Sequence, residues 1–320
     1  LRCHRHEIAI VENATRAWDI VFYAVPLGPG DRILTAVAEY ASNYIAFLQM
    51  ARKTGAVVEV IPNDTSGQLS VEALRRAIDD RVKLIAITHV PTNGGLVNPA
   101  AAVGQVAREA GVLYLLDACQ SIGHLPIDVE AIGCDMLSAT GRKYLRGPRG
   151  TGFLYVRRQI LDRLEPPFLD LHAAQWVAHD RFEVRPDARR FENWETSYAG
   201  KIGLGVAIDY ALQWGLEAIW ARIKHLADDL RRQLSTIAGV TVRDEGIERC
   251  GIVSFTVAGS DADEVQRWLT KARINVSVSR VSSTRLDMEA RGLPDLVRAS
   301  VHYYNTVEEI ERFCRVLSSR

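Results

Sequence analysis

Short apolar runs alternate with amphipathic stretches along this chain. Residues 7–11 have the pattern of a short strand, followed by a helix over 17–25 that is entered through small and hydroxylic residues. Apolar runs at 33–37 and 57–61 read as strands. Residues 69–79 place Leu69, Val71, Ala73, Leu74, Ala77 and Ile78 at the spacing of an amphipathic helix. A further buried strand begins at Lys83, a crossover helix covers 100–110, and the run Leu113-Tyr114-Leu115-Leu116 closes on Asp117. An apolar run without polar alternation is the mark of a strand covered on both faces of a parallel sheet. Residues 181–190 are polar, carry Arg181, Arg185, Arg189 and Arg190 around Pro186, and predict a loop. Helices over 204–214 and 217–235 follow, then a strand over 251–257, a helix over 262–271 and a strand opening at Val297. Strands alternating with helices predict an α/β fold with a parallel sheet, divided into residues 1–215 and a smaller α/β domain over 216–320.

Composition narrows the function classes. At 320 residues the chain can bury a large core, and its 39 Lys plus Arg balance 39 Asp plus Glu. That neutrality removes any whole-chain argument for nucleic acid or an anionic membrane as partner. No apolar run reaches the roughly 18 residues of a membrane span, and Leu1–His6 lacks the apolar core of a signal peptide. Cys3, Cys119, Cys134, Cys250 and Cys314 are scattered, odd in number and free of a CxxC spacing. They read as reduced thiols of a cytoplasmic protein, with neither a disulfide framework nor a zinc site.

The chemistry concentrates between Leu113 and Gly152. The strand ending at Asp117 delivers a carboxylate to the C-terminal edge of a sheet, where open α/β folds bind ligands. Lys143 follows in Ser138-Ala139-Thr140-Gly141-Arg142-Lys143, ahead of Gly147-Pro148-Arg149-Gly150-Thr151-Gly152. An acid able to pair with a pyridinium nitrogen and a lysine able to form an imine are the minimum equipment for pyridoxal phosphate (PLP) chemistry. This block resembles that of the class V aminotransferase and cysteine desulfurase family of PLP-dependent enzymes. Ser138 to Lys143 is similar to the family's Ser-Gly-His-Lys, with Thr for Ser and Arg for His; both changes keep phosphate-binding capacity. Neither GxGxxG nor GxxxxGK[ST] occurs, which sets a nucleotide-dependent α/β enzyme far behind.

The resemblance covers nearly the whole chain and implies fold type I, a three-layer sandwich around a mostly parallel sheet. It implies Lys143 as the imine-forming lysine and proton-transfer base, with Asp117 pairing the ring nitrogen. The turn at Ala14 and Thr15 resembles the family's first phosphate-binding turn, although Arg16 stands where a Glu is usual. Tyr40 takes the place of the aromatic, often His, that stacks on the ring. Asn93 and Gln120 are placed to meet the cofactor's phenolic oxygen, with Asn93 also shaping the substrate site; Thr140 and Arg142 fall to the phosphate. His89 reads as structural. Thr196 occupies a segment similar to the family's Phe-Glu…Gly-Thr, short of the Gly and a residue longer, which passes a hydroxyl to the other subunit's phosphate and implies a homodimer with shared sites. Val297-Arg298-Ala299-Ser300 with Tyr304-Asn305-Thr306 is similar to the segment whose Arg forks onto the substrate α-carboxylate, a role that passes to Arg298.

Two departures shape the expected reaction. The chain opens almost at the first phosphate turn, so the N-terminal part of the family's small domain is expected to be missing. Desulfurases carry a nucleophilic Cys some way before the carboxylate Arg, and Ser277 to Met288 contains none. A persulfide-forming desulfurase is therefore not expected, and the branch is read as one lacking that cysteine, similar to C–S lyases and isopenicillin-N-epimerase-like proteins. β-Elimination from a cysteine-related amino acid leads; transamination and epimerisation stay open, as does a non-catalytic PLP-fold protein. Arg280 and Arg285 read first as solvated loop charges.

Overall fold

The computed structural model describes residues 1–319. Its larger sheet is built from β1 (Ile8–Val11), β2 (Arg32–Ala36), β3 (Val57–Ile61), β4 (Val82–Thr88), β5 (Leu113–Asp117), β6 (Met136–Thr140) and β7 (Gly152–Val156). Their order is β1-β7-β6-β5-β4-β2-β3. The pairs β2–β3, β2–β4, β4–β5 and β5–β6 are parallel, while β7 runs antiparallel to both β6 and β1.

Successive side chains enter opposite cores, as the unbroken apolar runs predict. Ile85, Ile87, Tyr114, Leu116 and Leu137 face one core; Leu84, Ala86, Leu113, Leu115 and Met136 face the other. The first core is closed by α3 (Val71–Ala77), α4 (Ala100–Ala110) and α5 (Val129–Ile132) through Leu74, Val103 and Ile132. The second is closed by α1 (Ala14–Phe22) and α2 (Ala41–Thr54) through Trp18, Phe22 and Phe47, whose rings meet at centroid distances of 4.6 to 5.4 Å. Each such side chain contributes about 1.5–3 kcal/mol on burial. Helix, sheet, helix is the expected sandwich.

Residues 181–190 depart from expectation. They hold β9 (Arg181–Val184), hairpin partner of β8 (Ala174–Ala178), and a 3₁₀ turn over Ala188–Phe191. The hairpin sets Trp176 opposite Phe182, both exposed, and its short Arg181-Phe182-Glu183-Val184 alternation is embedded in a stretch that its arginines and Pro186 make look like a loop. Two helices also begin earlier than their apolar stripes. Asn13 caps α1 by accepting from the Arg16 amide, and Ser197 caps α6 (Tyr198–Trp214) by accepting from Gly200.

After Gly215, α7 (Leu216–Leu234) packs Ile219 and Ile223 into the first core and Leu226, Leu230 and Leu234 into a third. That third core lies on an antiparallel sheet, β10-β11-β13-β12, of β10 (Val240–Val242), β11 (Ile252–Val257), β12 (Ser277–Ser279) and β13 (Leu296–Ser300). α8 (Ala262–Lys271) and α10 (Val307–Ser318) close it; α9 (Arg285–Ala290) stands between β12 and β13 in sequence. No helix among the described residues is long and apolar enough to cross a membrane.

Candidate active site

The C-terminal ends of β2, β4, β5 and β6 open on one cavity of about 520 Å³. It is lined by Ala14, Thr15, Tyr40, Asn43, Thr88, Thr92, Asp117, Cys119, Gln120, Thr140, Arg142 and Lys143, among others. Eight of the ten cofactor-binding residues expected from the sequence, counting Lys143 and Asp117, thus meet at one place.

Asp117 ends β5 and is 6% exposed. Its Oδ1 accepts from the Cys119 amide at 2.9 Å and its Oδ2 from Asn43 Nδ2 at 2.9 Å. Burial pushes this carboxyl above its ordinary range, against the pull of those two donors and of the Lys143 ammonium. A buried acid in that condition is suited to a cation arriving from the cavity. Lys143 sits in the turn leaving β6, half-buried rather than on the surface. The turn is closed by Gly141 donating to the Thr151 carbonyl (2.9 Å), Gly147 to the Gly141 carbonyl (2.7 Å) and Arg146 to the Lys143 carbonyl (2.9 Å). Cys119 lies beside Lys143, which lowers its pKa, while burial, the larger effect, raises it.

At the other end of the cavity α1 presents its N-terminus. The Asn13 cap engages the Arg16 amide, leaving the amides of Ala14 and Thr15 toward the cavity that Thr140 and Arg142 also line. Free first-turn amides with a guanidinium and a hydroxyl form an anion site. Gly152 makes this approach possible: a Cβ there would lie 2.8 Å from the Asn13 carbonyl carbon. The residues present therefore fit PLP: an anion site at α1, a buried acid at β5 and a lysine line one cavity.

Arg298, on β13, donates from Nη1 to the Thr92 carbonyl (3.0 Å) and hydroxyl (2.9 Å). Its Nε is buried without a partner, and burial pushes its pKa down, a state that a substrate carboxylate would relieve. Gln120 Nε2 donates to the same Thr92 hydroxyl at 3.3 Å. Thr92 thus joins the expected substrate arginine to the expected cofactor glutamine, a link that only the fold reveals.

Two expected residues stand apart. Asn93 is 2% exposed, its Nδ2 donates to the Arg280 carbonyl at 2.8 Å, and it is not among the residues lining the cavity. Thr196 lines a smaller neighbouring cavity of about 80 Å³ with Glu12, Gly150 and Lys201. Arg280 is held by Asp263 and Asp295, and Arg285 by Glu289, so both are engaged in surface ion pairs. His89 is buried, and that burial lowers its pKa to about 4. Asn43 was missed; its signal was its place four residues after Glu39, across the first turn of α2.

Comparison with known proteins places this geometry. The model of the aminotransferase class-V family matches residues 3–313. A probable cysteine desulfurase of Methanothermobacter thermautotrophicus is 32% identical over 95% of this chain and 77% of its own length. One from Xylella fastidiosa (strain 9a5c) is 34% identical over 99% and 76%. The apo structure of a cysteine desulfurase from Thermococcus onnurineus superposes with a TM-score of 0.91 at 29% identity, covering 98% of this chain and 79% of that one. A cystine C–S lyase, solved with its reaction product cysteine persulfide, gives 0.86 at 25% identity, covering 98% and 81%.

These relatives overturn the expectation that the chain is not a persulfide-forming desulfurase. That expectation rested on one sequence segment, Ser277 to Met288, having no thiol. Persulfide chemistry requires a thiolate that reaches the substrate sulfur, wherever in the sequence it originates. With the family model covering nearly its full length, the chain belongs to the aminotransferase class-V family of PLP-dependent enzymes.

Proposed function

We propose that this enzyme cleaves the Cβ–S bond of a cysteine-class α-amino acid. The observation that carries the reading is the convergence of Asp117, Lys143 and the α1 anion site on one cavity, with Arg298 tied to its wall through Thr92. The sulfur substrate is supported by the names of the relatives, cysteine desulfurases and a cystine C–S lyase.

Bound PLP supplies an electron sink through its protonated ring nitrogen. The residues of this chain do the rest. Asp117 holds the proton on that nitrogen by placing a carboxylate against it, itself fixed by the Asn43 amide and the Cys119 N–H. The amides of Ala14 and Thr15, the Thr140 hydroxyl and the Arg142 guanidinium, which line the cavity, would hold the phosphate, and Tyr40 would pack against the ring. Arg298 turns its fork from Thr92 to the substrate carboxylate, a strong and directional contact. Lys143 Nζ would accept the α-proton; in β-elimination the electron pair of the C–S bond departs with sulfur, whereas transfer of the sulfur to a thiolate leaves that pair on carbon. In the β-elimination form, the carbon skeleton ends as pyruvate and ammonia.

We further place the boundary between the two domains at Gly215, where α6 gives way to α7. A homodimer with shared sites is also part of this reading. The exposed apolar residues Trp194, Tyr198, Ile202 and Val206 support it by offering a surface to a second copy.

The test is product analysis after supplying L-cysteine and L-cystine to the PLP-loaded enzyme. Release of sulfur as sulfide or persulfide is expected, together with pyruvate if the route is elimination or alanine if it is desulfuration. Conversion of the amino acids to oxo acids with their sulfur retained would overturn the reading in favour of transamination.

A further inference from the structure

Behind Asp117 lies a second buried acid. Glu39, 3% exposed, sits between β2 and α2. Its Oε1 accepts from the Tyr40 amide (2.9 Å), Asn43 Nδ2 (2.8 Å) and the Thr88 hydroxyl. Its Oε2 accepts from the Thr88 amide (3.0 Å) and the Thr35 hydroxyl (3.1 Å). These donors come from β2, β4 and α2, and they saturate the four or so lone-pair positions of a carboxylate.

The same Asn43 nitrogen donates to Asp117 Oδ2 at 2.9 Å. Both of its hydrogens are therefore committed, one to each acid, and the two carboxylates are a single amide apart. Asn43, Thr88 and Asp117 line the cavity, whereas Glu39 lies behind them. Asp117 is the charged group that acts on Glu39, raising its pKa; Lys143 in turn acts on Asp117. His89, just past the end of β4 after Thr88, is neutral by burial.

We propose that Glu39 is a positioning residue for the cofactor: through Asn43 it fixes Asp117 and, when ionised, adds the second negative charge that keeps the ring nitrogen protonated. The inference rests on the reading of Asp117 given above. Its donors are arranged for the anion, while burial and Asp117 drive the carboxyl up to about 7. The extra charge is thus present above neutrality and absent below it. At this separation and an effective dielectric of about 20, one charge shifts a neighbouring proton equilibrium on the order of tenfold.

The experiment titrates PLP into the cofactor-stripped full-length chain and records the dissociation constant across pH, for wild type, Glu39→Gln and Asp117→Asn. The ratio of variant to wild type at each pH cancels the cofactor's own ionisation. Glu39→Gln is expected to bind on the order of tenfold more weakly at about pH 8 and within about twofold at about pH 6. An equal loss at both values would mark Glu39 as packing alone and overturn the proposal, as would no loss at either.

Asp117→Asn separates the two levels. If it binds PLP as wild type does, the reading of Asp117 fails and the inference falls with it. If it loses affinity while Glu39→Gln does not, the inference alone fails. The Glu39→Gln substitution would set an amide against the Thr88 N–H, so Glu39→Asp carries the test should Glu39→Gln not fold. It keeps the charge in altered surroundings, and the gain in affinity with pH should survive with its midpoint moved by about half a unit or more. A wild-type midpoint would show that another group titrates and would refute the proposal.

Discussion

Removing Arg231 should unfasten the loop that carries Thr92 from the second sheet. Arg231 is buried on α7; its Nε donates to Asp244 Oδ2 at 2.8 Å and its Nη2 to the carbonyls of Cys250 (2.6 Å) and Ile252 (3.0 Å). Asp244, with a fully buried side chain, uses Oδ1 to accept from the Ser254 amide (2.8 Å), the Ser254 hydroxyl (2.7 Å) and the Gly95 amide (3.2 Å). The pair therefore joins α7, β11 and the loop three residues beyond Thr92. Arg231→Met keeps much of the volume but strands the Asp244 charge and two carbonyls. Truncating one partner of a buried pair costs about 3–5 kcal/mol. Urea unfolding, followed by tryptophan fluorescence and far-UV circular dichroism together, should show a loss of that size. The double variant Arg231→Met/Asp244→Leu should recover part of it, since an apolar pair leaves no unpaired charge. A loss below about 1 kcal/mol, or a double variant no better than the single, would refute the reasoning.

Other expectations are checked by simpler measurements. Arg298→Lys should raise KM for the amino acid about tenfold or more with PLP content unchanged, because the fork onto a carboxylate is lost while the charge remains. Gly104→Ala should destabilise strongly in thermal unfolding, since its Cβ would fall 1.8 Å from the Ile132 carbonyl oxygen and backbone has to move. Measured against Glu39→Gln, the cofactor-free wild type should lose stability between about pH 4.5 and 7, whatever the overall slope set by the buried His89, His124 and His302, whose depressed pKa values act in the opposite sense. Glu39 has a folded-state pKa of about 7 against an ordinary 4.5, so the folded state binds its proton more tightly and that advantage fades as pH rises through the window. The contribution is on the order of 3 kcal/mol, so Glu39→Gln should make the change of stability with pH more positive across that window; an unchanged slope would contradict it.

How much was legible in the sequence depended on the kind of residue. That Asp117 and Lys143 share one cavity could be read because strand-ending acids and a lysine among glycines carry their position in the local pattern. The central sheet could be read for the same reason: its strands are apolar on both faces. The bond of Asn93 to the Arg280 carbonyl could not be read, because its partner lies 187 positions away. Thr92 and Asn43 escaped notice since their importance lies in bridging groups from different elements. The 174–184 hairpin escaped notice because the alternation of Arg181-Phe182-Glu183-Val184 is only four residues long and the arginines and Pro186 that follow it read as a loop. The absent cysteine in Ser277 to Met288 was over-interpreted: a missing residue at one place is a weak guide to chemistry that geometry can supply from another.

The account stands most directly on Lys143. Reducing the PLP-loaded enzyme with borohydride and mapping its peptides should collapse the visible band of the cofactor and leave the pyridoxyl label on Lys143. A label on another lysine, or none after loading with PLP, would contradict the assignment and every role built around it.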